Sequence, residues 1–246
     1  MIMTYPRPGI EVRDLTLRFG SRVIFEKLNF HIEGGTFVAM LGASGAGKTS
    51  LLKIIAGLTT ATSGSVIASD GLPVSGRIAY MGQQDLLYPW LSVMENITLG
   101  SRLRGEQADL TWATHLLERV GLDSHGNDRP AALSGGMRQR AAIARTLYER
   151  QPIVLMDEPF SALDTLTRTT IQTLAAELLA DHTVLLITHD PMEACRLSHR
   201  LLVLSRHPAG IDDSHHINGQ PPRAPDDPFL LKSQAALLQQ LVRGAE

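Results

Sequence analysis

The chain has 246 residues, with 23 basic and 25 acidic side chains and a formal net charge of −2. That near-balance excludes bulk electrostatic attraction to nucleic acid, and the length allows one large domain or a core with a smaller lobe. Cys195 is the single cysteine, so an intrachain disulfide is excluded and the thiol reads as buried and inert in a reducing compartment.

Residues 1–14 lack the apolar core of a secretion signal, and no stretch reaches the roughly 18 apolar residues that cross a bilayer. The expectation is a chain soluble on its own and free to dock on a membrane protein. Ile10 and Val12 alternate, then Leu15, Leu17 and Phe19 alternate on the other parity, so a strand with a bulge near Arg13-Asp14 is expected. Gly20-Ser21 turns the chain, and Leu28, Phe30 and Ile32 continue an antiparallel sheet. Phe19 ends its strand either as an edge packing residue or as a face for a flat ligand ring.

The apolar run Phe37 to Leu41 leads into Gly42-Ala43-Ser44-Gly45-Ala46-Gly47-Lys48-Thr49-Ser50, which fits the phosphate-loop pattern of glycine, four residues, then Gly-Lys-Thr. Its glycines let backbone N–H groups turn toward an anion at a helix N-terminus. Lys48 adds a full charge at β- and γ-phosphates, and the Thr49 hydroxyl suits Mg2+. Leu51, Leu52, Ile54 and Ile55 follow as the inner face of a helix, and no second copy of the motif occurs. Val66 to Ala68 with Asp70-Gly71 predicts a hairpin, and Ile78 to Met81 a further strand.

Leu86 to Leu91 places large apolar side chains in a loop, as a docking surface or as a local mini-core. Ser92-Val93-Met94-Glu95 opens a helix with a capping box, and Leu110, Ala113, Leu116, Leu117 and Val120 form one face of another, closed by Gly121. In Leu133-Ser134-Gly135-Gly136-Met137, Ser134 is a helix cap and the two glycines bare the first turn, making a second anion site. Met137, Ala141, Ala144 and Tyr148 share that helix's inner stripe.

Ile153 to Met156 is a continuous apolar run of the kind buried on both faces of a parallel sheet, and it ends in Asp157-Glu158. Asp157 is placed to hold Mg2+ through water and Glu158 to polarise an attacking water. Val184 to Ile187 is a second such strand, ending at His189, and Leu201 to Leu204 a third. The proline-rich stretch 206–228 reads as a loop or short hairpin, and its His215-His216 pair lacks the carboxylates or cysteines of a metal site. Leu230, Leu231, Leu237, Leu238 and Leu241 give a terminal helix one apolar stripe.

Taken in order, Gly42 to Thr49, Gln83, Leu133 to Met137, Asp157-Glu158-Pro159, Ser161-Ala162-Leu163-Asp164 and His189 resemble the motif set of ATP-binding-cassette ATPases, over nearly the whole chain. The resemblance implies an α/β fold, a P-loop NTPase (RecA-like) core with an antiparallel β subdomain and an inserted helical subdomain, in one domain spanning 1–246. Core and β lobe would take 1–84 and 151–205, the helical lobe 85–150 and the tail 206–246. ATP and Mg2+ are the implied cofactors. Phe19 matches the aromatic that stacks on adenine, and Gly42 to Ser50 the phosphate cradle. Thr49, Gln83 and Asp157 match the metal-holding positions, and Glu158, His189 and Gln83 the hydrolytic ones. Ser134, Gly135, Gly136 and Met137 match the signature contacts to a nucleotide held by a second copy arranged head to tail, with Asp164 between the two sites.

Asp85 to Trp90 and Ser134 to Arg140 look like the nitrate, sulfonate and taurine importer group. That implies a subunit on the cytoplasmic face of the cell membrane, touching permease subunits around Gln83 to Trp90 and serving a separate solute-binding protein, with no nucleic-acid partner. Gly82 stands where that group has an aromatic, so Gln83 and Gln84 both compete for the metal-sensing role. The competing readings are a soluble ATPase of this family acting on nucleic acid or ribosomes, which usually carries two cassettes or a long insertion, and a P-loop phosphotransferase, which a water-activating Glu158 would hinder.

Overall fold

A computed structural model describes residues 7–206 and 209–243. β1 (Ile10–Phe19) and β2 (Arg22–Ile32) pair antiparallel around Gly20-Ser21. The change of parity is a bulge: pairing shifts between Val12 and Leu15, Asp14 takes φ 46°, and its N–H donates to the Asn29 side chain at 2.9 Å. β3 (Phe37–Gly42) runs through the phosphate loop into α1 (Lys48–Ile55), which buries Leu51, Leu52, Ile54 and Ile55 as its spacing predicts.

β4 (Ser63–Ala68) does not form the expected hairpin with the segment after Gly71; it pairs antiparallel with β1, giving a three-stranded sheet in the order β2-β1-β4. Asp70-Gly71 does turn the chain, with Gly71 N–H donating to Ala68 O at 2.9 Å. Pro73 in the would-be return arm has no N–H for a ladder, so pairing with β1 wins and β5 (Ile78–Met81) leaves for another sheet.

Four helices come next: α2 (Val93–Ile97), α3 (Leu99–Arg104), α4 (Leu110–Arg119) and α5 (Gly135–Tyr148). Ser92 and Glu95 make the predicted reciprocal capping box, and Asp109 caps α4. Ala113, Leu116 and Leu117 are buried, whereas Leu110 is 58% exposed: directly after the cap it overhangs the core that the later turns reach.

β6 (Ile153–Asp157), α6 (Thr165–Leu178), β7 (Thr183–Ile187), α7 (Pro191–Leu197), β8 (Arg200–Arg206), β9 (Ala209–His216) and α8 (Pro228–Arg243) complete the described chain. β5, β6, β7, β3 and β8 are parallel neighbours in that order, and β9 closes the edge antiparallel to β8. The stretch after residue 206 is therefore a hairpin. His216 lies exposed on β9, while the His215 side chain lies outside the described residues.

Alternation along the strands separates two cores. Phe37, Ala39, Leu41, Val154, Met156, Val184, Leu186, Leu201 and Val203 face a cluster shared with α4 to α8. Val38, Met40, Ile153, Leu155, Leu185, Ile187, Leu202 and Leu204 face α1 and the antiparallel sheet. Burial on both faces is why these strands read as unbroken apolar runs.

The tail helix departs from its expected stripe. Leu230 and Leu237, two turns apart, are buried, but Leu231 and Leu238 are 46% and 43% exposed. α8 packs on α7, a narrow contact that one row of side chains fills, and the Leu241 side chain lies outside the described residues.

Candidate nucleotide site

Parallel pairing aligns Met40 with Ile187 and Ile187 with Asp157, so the ends of β3, β7 and β6 lie side by side. Adjacent strands are about 4.8 Å apart, which sets Asp157 roughly 10 Å across from the phosphate-loop strand. The cleft at this carboxyl edge measures about 440 Å3 and is lined by Gly42, Ser44, Gly45, Gly47, Lys48, Thr49, Ser50, Gln83, Asp157, Glu158 and His189, with Ile24 and Ile187. Ala43 is exposed on the loop, and the Ala46 side chain is buried in the core, leaving its backbone for the site.

Two loop glycines are required by geometry. Gly42 has φ 149° and a Cβ there would lie 2.4 Å from Leu204 O; Gly47 has φ 100° and a Cβ would lie 2.6 Å from Ile24 Cγ2. Lys48 Nζ donates to Gly42 O at 2.8 Å and Ala43 O at 3.1 Å, holding the ammonium over the loop. Burial pulls its pKa down, opposed by the charges of Glu158 and Asp157.

Asp157 is buried, and its Oδ2 has no hydrogen-bond partner among the described residues. Burial raises its pKa, against a hydrogen bond from Thr49. A buried carboxylate oxygen left over beside a threonine hydroxyl is an incomplete ligand set that suits a hard cation completed by phosphate and water oxygens. The residues present therefore fit Mg2+.

Glu158 has φ 50°, a left-handed conformation that costs a non-glycine residue about 1–2 kcal/mol. Its N–H donates to Ile187 O at 2.9 Å, and its carbonyl accepts from the Ser161 hydroxyl at 3.0 Å. These bonds hold the turn that swings its carboxylate into the cleft. Gln83 Nε2 donates to Glu158 Oε2 at 3.3 Å, and His189 Nδ1 lies 3.3 Å from Glu158 Oε1. Of the two competing glutamines, Gln83 is thus the one on the cleft.

The other expected positions lie off this cleft. Phe19 is 58% exposed at the end of β1, so it is not an edge packing residue. Ser134 caps α5, accepting from Met137 N–H at 3.3 Å; Met137 is half-buried against the core. A Cβ on Gly135 would meet only Arg138 at 3.9 Å, and one on Gly136 nothing closer than Ala162 O at 3.4 Å. Nothing among the described residues therefore demands glycine at either place. Asp164 caps α6 through Thr167 N–H at 3.1 Å, and hydrogen bonding by the Thr167 side chain, then by its backbone, lowers the Asp164 pKa.

The loop after Gln83 is a rigid platform. Buried Asn96 accepts from Tyr88 N–H at 2.8 Å and donates to the carbonyls of Tyr88, Leu91 and Ser92, while Arg145 donates to Leu86 O and Asp85 O. Tyr88 and Trp90, edge to face at 5.3 Å, are 43% and 65% exposed, while Leu87 between them and Leu86 is buried in the core, so the loop is part core and part open surface. With Leu91, Leu99, Arg102 and Leu103 they line an open groove of about 340 Å3.

Sequence reasoning missed Ile24, which reaches the phosphate loop from β2 and has no local motif. It also missed Asn96, Arg138 and Arg145, of which the first is an isolated polar residue at a buried position of α2.

A model of the ABC transporter family matches residues 25–161, more than half of the chain. An uncharacterized ABC transporter ATP-binding protein of Haemophilus influenzae is 41% identical over 237 residues, covering 94% of this chain and 98% of that relative. The aliphatic sulfonates import ATP-binding protein SsuB 1 of Pseudomonas syringae pv. syringae is 38% identical over 238 residues, covering 96% and 97%. The dimeric structure of the bacterial ABC transporter cassette MJ0796 matches with a TM-score of 0.75 at 30% identity, over 85% of this chain and 99% of that one. The same cassette, dimeric in a post-hydrolysis state with ADP and Pi, matches equally. The chain belongs to the ABC transporter family, as an ATP-binding and ATP-hydrolysing subunit.

Proposed function

We propose that this chain drives an importer for a small solute of the sulfonate, nitrate, taurine or vitamin-precursor kind, from the cytoplasmic face of the cell membrane. Permease subunits and a solute-binding protein would be separate chains; no helix among the described residues is long and apolar enough to cross a membrane. The sulfonate-import name of the Pseudomonas relative supports the solute class. The observation that carries the mechanism is the strained Glu158 turned into the cleft between Gln83 and His189, opposite the phosphate loop.

In this reading, backbone N–H groups of Gly42 to Ser50 and the Lys48 ammonium hold the triphosphate. Thr49, Asp157 through water, and Gln83 would hold Mg2+, which supplies charge neutralisation at the phosphates; the unpartnered Asp157 Oδ2 supports this. Glu158 takes a proton from the attacking water, and His189 donates to the terminal phosphate. Phe19 offers its exposed ring to the base.

Ser134, Gly135, Gly136 and Met137 would complete the nucleotide site of a second copy, head to tail, with Asp164 near the boundary. Glycines that the described residues do not demand support that assignment. The Tyr88–Trp90 platform and its groove would receive a cytoplasmic segment of a permease.

Glu158→Gln keeps size and hydrogen bonding but removes the base, so hydrolysis should fall roughly 10²-fold or more while ATP binding survives. With Mg-ATP the variant should sediment as a dimer, and adding Ser134→Arg should return it to monomer. Normal turnover by Glu158→Gln would refute the role of Glu158; a dimer untouched by Ser134→Arg would refute the head-to-tail arrangement.

A further inference from the structure

His189 is carried by a short turn whose parts are tied on both sides. Thr188 N–H donates to Met40 O at 3.3 Å on the phosphate-loop strand, and Asp190 N–H donates to Thr188 Oγ1 at 3.0 Å. The Asp190 carboxylate caps α7 through Met192 N–H at 2.9 Å and Glu193 N–H at 3.4 Å. Behind the turn is Glu193, only 5% exposed, which touches neither the phosphate loop nor the cleft and has no part in the mechanism above.

The hydrogen bonds around Glu193 have one consistent polarity. Gln172 Oε1 accepts from the Arg196 guanidinium at 2.9 Å, so its Nε2 is the end that donates to Glu193 Oε2, at 3.0 Å. Thr188 Oγ1 accepts from Asp190 N–H, and its hydroxyl hydrogen can turn toward Glu193, which shares a cavity wall with it and whose pKa it lowers. Both neighbours can donate to an ionised Glu193 carboxylate, which accepts only. A protonated Glu193 has a hydrogen to place, with the second lone pair of Thr188 Oγ1 or the adjoining cavity to take it. That cavity, about 60 Å3 and large enough to admit water, is walled by Glu193, Thr188, Asp190, Arg168 and Phe160, together with Glu158 and His189. Arg168 Nε is a buried donor there with no partner among the described residues.

We propose that Glu193 is a positioning residue for ATP hydrolysis: its carboxylate, held by Gln172, fixes Thr188 and so aims the turn that presents His189 to Glu158. The proposal rests on the roles given above to Glu158 and His189. The charges facing Glu193 are Asp190 on its own helix cap, Arg168 from α6, and Glu158 and His189 on the same cavity, with Arg196 one link away through Gln172. Burial is the largest influence on it, with Asp190 adding to the rise and Thr188, Gln172 and Arg168 opposing it, and its pKa stands at about 7. The carboxylate that grips Thr188 therefore forms as pH rises through neutrality.

The test is steady-state ATPase of the full chain with Mg-ATP from pH 6 to pH 8, for the wild type, Glu193→Gln, Thr188→Val, Thr188→Ser and His189→Ala. Glu193→Gln should lose about tenfold in kcat at pH 8, with KM for ATP moving less than about twofold, the scale of a misaimed group rather than a lost one. Its ratio of kcat at pH 8 to kcat at pH 6 should drop severalfold below the wild-type ratio. Thr188→Val should reproduce the loss, and Thr188→Ser, which keeps the hydroxyl, should restore most of it. A Glu193→Gln protein with the wild-type kcat and pH ratio overturns the proposal. If that variant melts below assay temperature, the Val and Ser pair decides alone, and equal activity of the two overturns the proposal. His189→Ala separates the two levels: inactive His189→Ala beside normal Glu193 variants removes Glu193 and leaves the site reading standing, whereas active His189→Ala removes both.

Discussion

Glu158 and Glu193 border the same small cavity, yet one is strained into the nucleotide cleft and the other is buried. Burial raises the pKa of Glu193 from 4.5 to about 7, so the fold favours its neutral form. A raised pKa contributes stability that is full below pH 4.5, the unfolded value, and is lost as pH climbs through 7. Glu193→Gln, neutral at every pH, should therefore gain on the wild type in melting temperature between pH 5 and pH 8. A difference that stays flat over that range would contradict the buried, titrating carboxylate. The placement of the cleft residues was legible in the sequence because it follows from where strands and the phosphate loop end: Lys48, Asp157, Glu158 and His189 all line the cleft at the ends of their strands. Glu193 and Ile24 were not, since each acts through tertiary neighbours, Gln172 and Thr188 for one and Gly47 for the other.

Among elements, two helix starts were readable, because Ser92 and Ser134 announce them by accepting backbone N–H groups three residues on, whereas α6 behind its Asp164 cap was not foreseen. The true partner of β4 was not legible, because pairing with β1, its partners 47 to 58 residues upstream, leaves no local signal. The junction between α7 and the tail was equally silent. There Arg223, 4% exposed, donates to the carbonyls of Cys195, Ser198, Ile217, Asn218 and Gly219 at 2.7–2.9 Å. Its own carbonyl accepts from Arg196 Nε at 3.1 Å, and Arg196 in turn reaches Gln172 and Thr173 on α6. Arg223→Ala should strand several buried carbonyls at about 1–3 kcal/mol apiece, for a loss of roughly 3 kcal/mol or more in chemical denaturation. Lysine, a single point donor, should not rescue it. A loss under about 1 kcal/mol would mean that the tail is not held by this side chain.

At the scale of the molecule, the proposed contacts with other chains rest on two surfaces, the bared α5 terminus and the Tyr88–Trp90 platform. The platform's rigidity, set by Asn96 and Arg145, makes a specific prediction. Trp90→Cys should cross-link to cytoplasmic cysteines of a co-expressed permease, and uniform failure across permease positions in an intact complex would reject that face. The α/β class and the parallel core were legible because runs such as Ile153 to Met156 are apolar on both faces, whereas the order of strands was not, since nothing in a run names its neighbour. That order carries a further consequence. β3 is flanked by β7 and β8, with Phe37 beside Val184 and Val38 beside Arg200. On a ribosome adding about 5–20 residues each second, the strand that ends in the phosphate loop emerges roughly 8 to 32 s before the last of its partners. Through that interval both of its edges are bare, its pairings are of the long-range kind that form slowly, and its apolar faces wait for two cores that do not yet exist. Newly made chain should thus be unable to retain nucleotide, and most open to chaperone capture, until synthesis has passed β8.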